Sequence, residues 1–169
     1  GSPLLIHSRS LAEAGGHHLG GGFHVELAMR YQQPDIGSAL DRMKALGIQK
    51  VFVAPLFPQY SEAATGSAVA RVEEENQRLG GPFELVHLGD FYDDPGFIQA
   101  QAATLRPLLE SRSWDHVLFS YHGLPESQLR PIPGCLVEEA CCESPEGPER
   151  RCYRAQCLRT SRALTRALG

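Results

Sequence analysis

The sequence predicts an α/β protein built on a parallel sheet, and three segments carry this prediction. Short apolar runs with strand character lie at residues 50–56, 83–88 and 115–121, and segments with apolar residues at helical spacing separate them. Strands that alternate with helices pair in parallel, with right-handed crossovers and helices on both faces of the sheet. The 169 residues suffice for one domain with a proper core and are too few for two ordinary domains.

The charge and hydropathy of the chain argue against two classes of partner. A net charge of −4 and an isoelectric point near 6.0 give no overall attraction for nucleic acid or an anionic membrane. No window reaches the ~18 apolar residues of a membrane span, and no basic leader opens the chain, so we expect a cytoplasmic protein. Because the chain opens on a helical pattern and not on a strand, we expect it to be cut from a longer protein.

The first half of the chain is predicted as two helices around one strand. Residues 3–14 have a helical pattern, and the glycine-dense run at 15–22 is expected to be a loop. Residues 23–31 alternate partially, as strands do, and end on Met-Arg-Tyr. A second helix covers residues 36–46, and the glycine that follows stops it.

Two further strand and helix pairs follow. The strand at 50–56 leads into a hydroxyl-rich loop at 57–67, whose Thr-Gly-Ser end is expected to cap the next helix. The strand at 83–88 is followed by a helix with Asp94 as N-cap and Pro95 at its first position.

The strand at 115–121 leads directly into reactive side chains. Val117, Leu118 and Phe119 form an apolar run typical of a buried parallel strand, and the polar sequence Ser-Tyr-His follows at 120–122. In open α/β sheets ligands bind at the carboxyl ends of the strands, so His122 is expected to face a cleft. From the residues alone, a strand-end histidine with a satisfied hydrogen bond is the alternative.

The cysteines are concentrated in the last part of the chain. An odd number of thiols without a secretion signal favours metal binding, cluster binding or redox chemistry over a disulfide framework. A loop rich in Pro, Gly and Glu at 123–149 and a basic helix at 150–168 carry them. The five cysteines are Cys135, Cys141, Cys142, Cys152 and Cys157.

Four motifs, in this order along the chain, resemble those of one family. They are Gly-Ser-Pro-Leu at the start, Met-Arg-Tyr at 29–31, Pro-Leu-Phe-Pro-Gln-Tyr-Ser with Thr-Gly-Ser at 55–67, and Ser-Tyr-His-Gly-Leu-Pro at 120–125. Together they resemble the ferrochelatases, lyases that insert ferrous iron into protoporphyrin IX to form protoheme, the last step of heme biosynthesis. The Pro-Gln-Tyr-Ser form is more similar to the protoporphyrin enzymes than to the coproporphyrin branch.

The resemblance implies a Rossmann-like chelatase fold with two similar α/β domains and the porphyrin in the cleft between them. Residues 1–122 would form most of the N-terminal domain, 123–149 a cluster-binding loop rich in Cys and Glu, and 150–169 a basic C-terminal helix. The family's C-terminal chelatase domain is absent from this sequence, including its glutamate opposite the catalytic histidine. We therefore expect this chain to be inactive alone.

The resemblance also implies roles for single residues. His122 matches the family's catalytic histidine, which would accept a pyrrole proton or hand over the substrate iron. Met29, Tyr31 and Tyr60 would bind the porphyrin, with Met29 and Tyr60 packed against the macrocycle. Arg30 and Ser61 would meet its propionates or order the cleft, although Arg30 could equally form a structural ion pair.

The cysteines resemble those of the bacterial ferrochelatases that carry a [2Fe-2S] cluster on an internal segment. Such a cluster takes four thiolates, and we expect one of the adjacent Cys141 and Cys142 to be the spare thiol. Arg150, Arg151 and Arg154 would offset the charge of the cluster. A structural zinc on four thiolates is the main alternative, and free thiols are the last.

Three functions remain open from the sequence. The chain is part of a [2Fe-2S] protoporphyrin ferrochelatase, or a half-size chelatase whose homodimer rebuilds the cleft, or a non-enzymatic module that carries a cluster or binds a tetrapyrrole.

Overall fold

The computed structural model describes residues 2–136, 140–143 and 151–169. The chain divides into two compact units, one of residues 1–53 and 67–87, the other of residues 54–66 and 88–169. The parts of the predicted cluster-binding loop at 137–139 and 144–149, and Arg150 after it, lie outside the described residues. Across the described ranges, no helix has both the length and the apolar character needed to cross a membrane.

The first unit contains a small parallel sheet with helices, which confirms the predicted α/β class. β1 (Lys50–Val53) and β2 (Glu84–His87) pair in parallel, with Lys50 opposite Glu84 and Val53 opposite His87. Asn76 connects α3 (Ser67–Arg78) to the start of β2, because its side chain donates to and accepts from the backbone of Phe83, both at 3.2 Å. The elements are α1 (Pro3–Leu19), α2 (Ile36–Ala45), β1 (Lys50–Val53), α3 (Ser67–Arg78) and β2 (Glu84–His87). The core residues are Ile36, Leu40, Val51, Val72 and Phe83.

The prediction that the first helix stops at Gly15-Gly16 was wrong. α1 continues to Leu19, and Gly20, with φ of 78°, ends it. Each glycine inside a helix costs only about 1 kcal/mol relative to alanine, so two of them do not break it. The residue that ends α1 is the one that adopts a left-handed φ, which glycine does without strain.

The predicted strand at 23–31 is also absent. The ladder contact in this stretch is an isolated parallel bridge between Met29 and Asp35. The Met29 N–H donates to the Pro34 carbonyl at 2.7 Å, so this segment is hydrogen-bonded to the turn that follows it and not to a strand. Partial alternation along the chain did not reveal that, among the described residues, this stretch has no neighbouring strand to pair with.

The second unit is built on two packed helices, α4 (Pro95–Glu110) and α5 (Tyr153–Leu168). Asp94 caps α4 as predicted, since its carboxylate accepts from the Phe97 N–H at 3.0 Å. Arg106 of α4 donates to the carbonyls of Ala167 and Leu168 at the end of α5, which stabilises the helix terminus. The unit also holds a π-helical turn at Glu62–Gly66 and a short 3₁₀ helix at Glu126–Gln128.

The predicted strand at 115–121 is not formed, and its apolar run is not buried. Leu118 is 91% exposed and Val117 is 51% exposed. Within the described chain no strand pairs with this segment, so its backbone has no ladder partner. The segment has no regular helix or strand, and His122 directly follows it, before the 3₁₀ helix at Glu126–Gln128.

Candidate active site

His122 lies on the wall of a largely apolar cavity of about 670 Å³. Its neighbour Tyr121 is fixed by a hydrogen bond between its hydroxyl and the Ser161 hydroxyl of α5 at 2.9 Å. Tyr153 of α5 lines the same cavity, and His122 itself is exposed. The side chain next to His122 is therefore held to α5, and His122 is open to a ligand. The other lining residues are Phe119, Gly123, Leu124, Glu126, Leu129, Leu136, Arg154, Cys157 and Leu158.

The phenols beside His122 remain protonated at neutral pH. Burial raises the pKa of Tyr121. Burial and, after it, the nearby Cys157 raise the pKa of Tyr153 to about 12. Neutral phenols can donate hydrogen bonds and present an apolar ring face, so this wall suits a large, flat, uncharged ligand surface.

Tyr60 and Ser61 line a second cavity of about 260 Å³, which shares Leu124, Leu129 and Tyr153 with the first. The Tyr60 hydroxyl donates to the Glu62 carboxylate at 2.6 Å. That bond, followed by burial, raises the pKa of Tyr60.

Ser61 is a buried residue that supports the π-helical turn. Its hydroxyl oxygen accepts from the Ala64 N–H at 3.2 Å, and its carbonyl accepts from the Gly66 N–H at 3.1 Å. This is a structural role for Ser61, and its predicted contact with a propionate stays a prediction.

Two residues of α5 that the sequence did not single out hold the loop that carries Gln59 and Tyr60. Gln156 is 0% exposed, and its side-chain oxygen accepts from the Tyr60 N–H at 2.6 Å. The Thr160 hydroxyl accepts from the Gln59 side chain at 2.9 Å and donates to the Tyr92 carbonyl at 2.7 Å. The sequence signal that could have found them is their spacing: Gln156 and Thr160 are polar residues four apart, on the helix face that continues to Leu164.

The remaining predicted porphyrin residues lie in the first unit. Arg30 donates from Nε to the Ser67 carbonyl at 3.1 Å, and its guanidinium lies 4.7 Å from the centre of the Tyr31 ring. Tyr31 is 69% exposed and Met29 is half-buried. The structure thus groups Met29, Arg30 and Tyr31 in one unit, and Tyr60, Ser61 and His122 in the other.

Four of the five thiols pack into one hydrophobic cluster together with Leu129 and Ala155. The sulfur atoms of Cys135 and Cys152 lie 3.6 Å apart, and those of Cys141 and Cys142 lie 3.9 Å apart. All five cysteines are unpaired. Both members of the adjacent pair pack with Cys135 and Cys152, so the packing singles out neither as the spare thiol.

Burial is the main reason that Cys135, Cys142 and Cys157 resist ionisation. It raises the pKa of Cys135 to about 11, that of Cys142 to about 12 and that of Cys157 to about 11, and neighbouring thiols add to the effect. The Arg154 guanidinium acts in the opposite direction on Cys142.

The donor set fits a group that binds thiolates. Thiolates packed this closely repel one another, so a cationic centre would be needed to ionise them together. Soft thiolate ligands select iron–sulfur clusters or zinc. In ranges 2–136, 140–143 and 151–169, no three His, Cys, Asp or Glu side chains are already arranged around a metal position.

Comparison with known proteins agrees with these motifs. The family model described as Ferrochelatase matches residues 1–169. A ferrochelatase of Bdellovibrio bacteriovorus is 38% identical over 169 residues, which cover all of this chain and 50% of the relative. Ferrochelatases of Pseudomonas putida strain W619 and Stutzerimonas stutzeri are 38% and 39% identical over 174 residues, covering all of this chain and 51% and 50% of the relatives.

The match extends over every residue of the sequence, although the chain spans only about half the length of these curated relatives. A family model that covers the whole chain establishes membership independently of that length. The chain belongs to the ferrochelatase family.

Proposed function

We propose that the protein containing this chain inserts ferrous iron into protoporphyrin IX and so acts as a lyase in heme biosynthesis. The observation that carries the proposal is the position of His122 on the wall of a cavity of about 670 Å³ that apolar and aromatic residues line. The names of the family relatives support it.

His122 supplies the chemistry of this reaction. Metal insertion requires the porphyrin to lose two pyrrole protons, so a base must reach the macrocycle. The imidazole of His122 accepts a pyrrole proton or passes the iron to the ring, since imidazole is a neutral base near pH 7 and a good ligand for ferrous iron. The supporting geometry is an exposed residue whose neighbour, Tyr121, is hydrogen-bonded to α5.

The porphyrin contacts are assigned residue by residue. Tyr60, as a neutral phenol, presents its ring to the macrocycle. Met29 and Tyr31 add apolar surface, while Arg30 and Ser61 meet the propionates. The cation–π contact between Arg30 and Tyr31 supports this, because it presents a positive charge beside an exposed aromatic ring.

Four of the five cysteines hold a [2Fe-2S] cluster. The support is a donor set of unpaired, mostly buried thiols, and zinc on the same thiolates is the alternative. Anaerobically purified full-length protein is expected to be red-brown with about two irons per chain. A colourless protein that contains zinc would instead support a zinc site on these thiolates. Five single Cys→Ser variants identify the spare thiol, which is the cysteine whose replacement leaves the red-brown colour unchanged.

The test of the reaction uses full-length protein with ferrous iron and protoporphyrin under anaerobic conditions. His122→Ala is expected to lower kcat at least about a hundredfold, because it removes the base. His116→Ala, six residues before His122 in the same irregular stretch, is the matched control and retains activity. An active His122→Ala enzyme contradicts the role of His122, and porphyrin binding by the wild type without turnover indicates a tetrapyrrole-binding module instead.

We also propose a cytoplasmic location, which the five unpaired cysteines support because such thiols persist in a reducing compartment. Light scattering of the full-length protein tests assembly. A dimeric mass favours a cleft completed between copies, and a monomeric mass favours one completed within the longer chain.

A further inference from the structure

Gln156 is a buried amide between two partners distant in sequence. Its side-chain oxygen accepts from the Tyr60 N–H at 2.6 Å, and its side-chain nitrogen donates to the Asp90 carboxylate at 2.5 Å. It is 0% exposed, so water does not replace either bond. A buried polar group that loses its partner costs free energy, and both bonds therefore constrain the structure.

The two partners determine the orientation and the chemical type of this side chain. A backbone N–H can only donate, and an ionised carboxylate can only accept, so the residue between them must offer an acceptor and a donor at the same reach. Glutamine does this. Glutamate offers only acceptors when ionised, and methionine offers neither a strong donor nor a strong acceptor.

The bond from Tyr60 is made by its main chain, so the side chain of Tyr60 stays available to the cavity. Four residues further along α5, Thr160 binds the neighbouring Gln59. One face of α5 thus binds two successive loop residues, Gln59 and Tyr60. The backbone that carries the Tyr60 phenol is therefore fixed.

We propose that Gln156 is a positioning residue for the porphyrin: it fixes the backbone of Tyr60 so that the phenol meets the macrocycle in one orientation. The role rests on the proposed function, since it concerns the loop assigned to the porphyrin. It is distinct from catalysis, because Gln156 acts through Tyr60.

The test measures protoporphyrin affinity of full-length variants by fluorescence titration at pH 6 and pH 8, together with KM and kcat. Gln156→Glu keeps the shape of the side chain but sets two carboxylates against each other. Burial and Asp90 raise the pKa of the introduced carboxyl, so its protonated form still donates to Asp90 at low pH. We expect porphyrin affinity about tenfold weaker than wild type at pH 8, a smaller loss at pH 6, and a change in KM larger than that in kcat.

Asp90→Asn provides the control and the rescue. Alone, it keeps an acceptor for the Gln156 amide and is expected to bind porphyrin as the wild type does. Combined with Gln156→Glu, it restores one donor and one acceptor across the pair, because the asparagine donates to the introduced carboxylate. The double variant is expected to return to within about threefold of wild-type affinity.

The outcomes separate the two proposals. Wild-type affinity in Gln156→Glu at pH 8, or an equal loss in the single and double variants, overturns the positioning role. If Gln156→Glu does not fold, the folded double variant decides by itself, since a tenfold loss there contradicts the role. Wild-type protein that does not bind protoporphyrin overturns the proposed function itself.

Discussion

The raised pKa of the Tyr60 phenol has one carboxylate as its main cause. Its bond to Glu62 is the largest cause of its raised pKa, ahead of burial. A phenol whose pKa is higher in the folded than in the unfolded state contributes stability below the unfolded pKa of about 10. That contribution is lost as the pH rises through the folded pKa.

Glu62→Gln is expected to lower the pKa of Tyr60 towards its ordinary value, since it removes the negative charge at the hydroxyl. Ultraviolet titration of phenolate absorbance measures this, and subtraction of the Tyr60→Phe curve isolates the Tyr60 transition. An unchanged transition in Glu62→Gln would show that burial alone holds the pKa up.

Gly66→Ala tests the same contact from the other side. A β-carbon at position 66 would lie 2.8 Å from a Glu62 carboxylate oxygen, so the carboxylate must move. We expect this variant to lower the pKa of Tyr60 as Glu62→Gln does, in the same titration. Gly123→Ala is the control, because a β-carbon there meets nothing within 4 Å.

At the scale of elements, the cap of α2 makes the stability of the first unit depend on pH. The Asp35 carboxylate accepts from the Ser38 N–H at 2.8 Å and from the Ser38 hydroxyl at 2.7 Å. These bonds lower its pKa from 3.8 to about 2. The charged form is therefore stabilising above pH 4, and this contribution is lost as the pH falls towards 2.

Asp35→Asn is expected to be less stable than the wild type at pH 7, because the neutral amide caps the helix without the charge. The difference in urea midpoint between the two proteins should shrink as the pH falls from about 4 to about 2. A difference that stays constant over this range would mean that the charge of Asp35 contributes nothing to the cap.

The elements that could be predicted from the sequence are those with local signals. The Asp94 cap, the Gly47 stop and the periodic face of α2 are determined within a few residues of chain. The strands expected at 23–31 and 115–121 failed because a strand needs a partner, and an apolar run does not reveal whether one exists.

The candidate site divides in the same way. His122, Tyr60 and the five cysteines can be singled out from the sequence, and the chemistry that the family resemblance implies for them stays a prediction. Gln156 could not be assigned, because its partners Tyr60 and Asp90 lie 96 and 66 residues away in sequence. A polar residue on a helical stripe indicates that a partner is needed and not which one.

At the scale of the whole molecule, each compact unit has its own buried side chains. Leu40 is 4% exposed in the core of the first unit, and Leu164 is 6% exposed on α5 in the second. Truncating a buried leucine to alanine removes packing and leaves a cavity.

Leu40→Ala and Leu164→Ala are each expected to lower the free energy of unfolding by about 2–5 kcal/mol, measured by urea denaturation. Hydrogen exchange should show where each loss falls: Leu40→Ala weakens protection in α2, α3, β1 and β2, whereas Leu164→Ala weakens it in α4 and α5. Equal loss across all elements in both variants would show that the units unfold as one.

The bridge from Tyr60 through Gln156 to Asp90 has a consequence for how relatives diverge. Position 156 can become a carboxylate without repulsion only if position 90 is already an amide or becomes one at the same time. Among ferrochelatases that share α5 and this loop, Glu at position 156 should therefore occur with Asn at position 90, whereas Gln should be found with either Asp or Asn. The pairing of Asp with Glu should be the combination that natural sequences avoid.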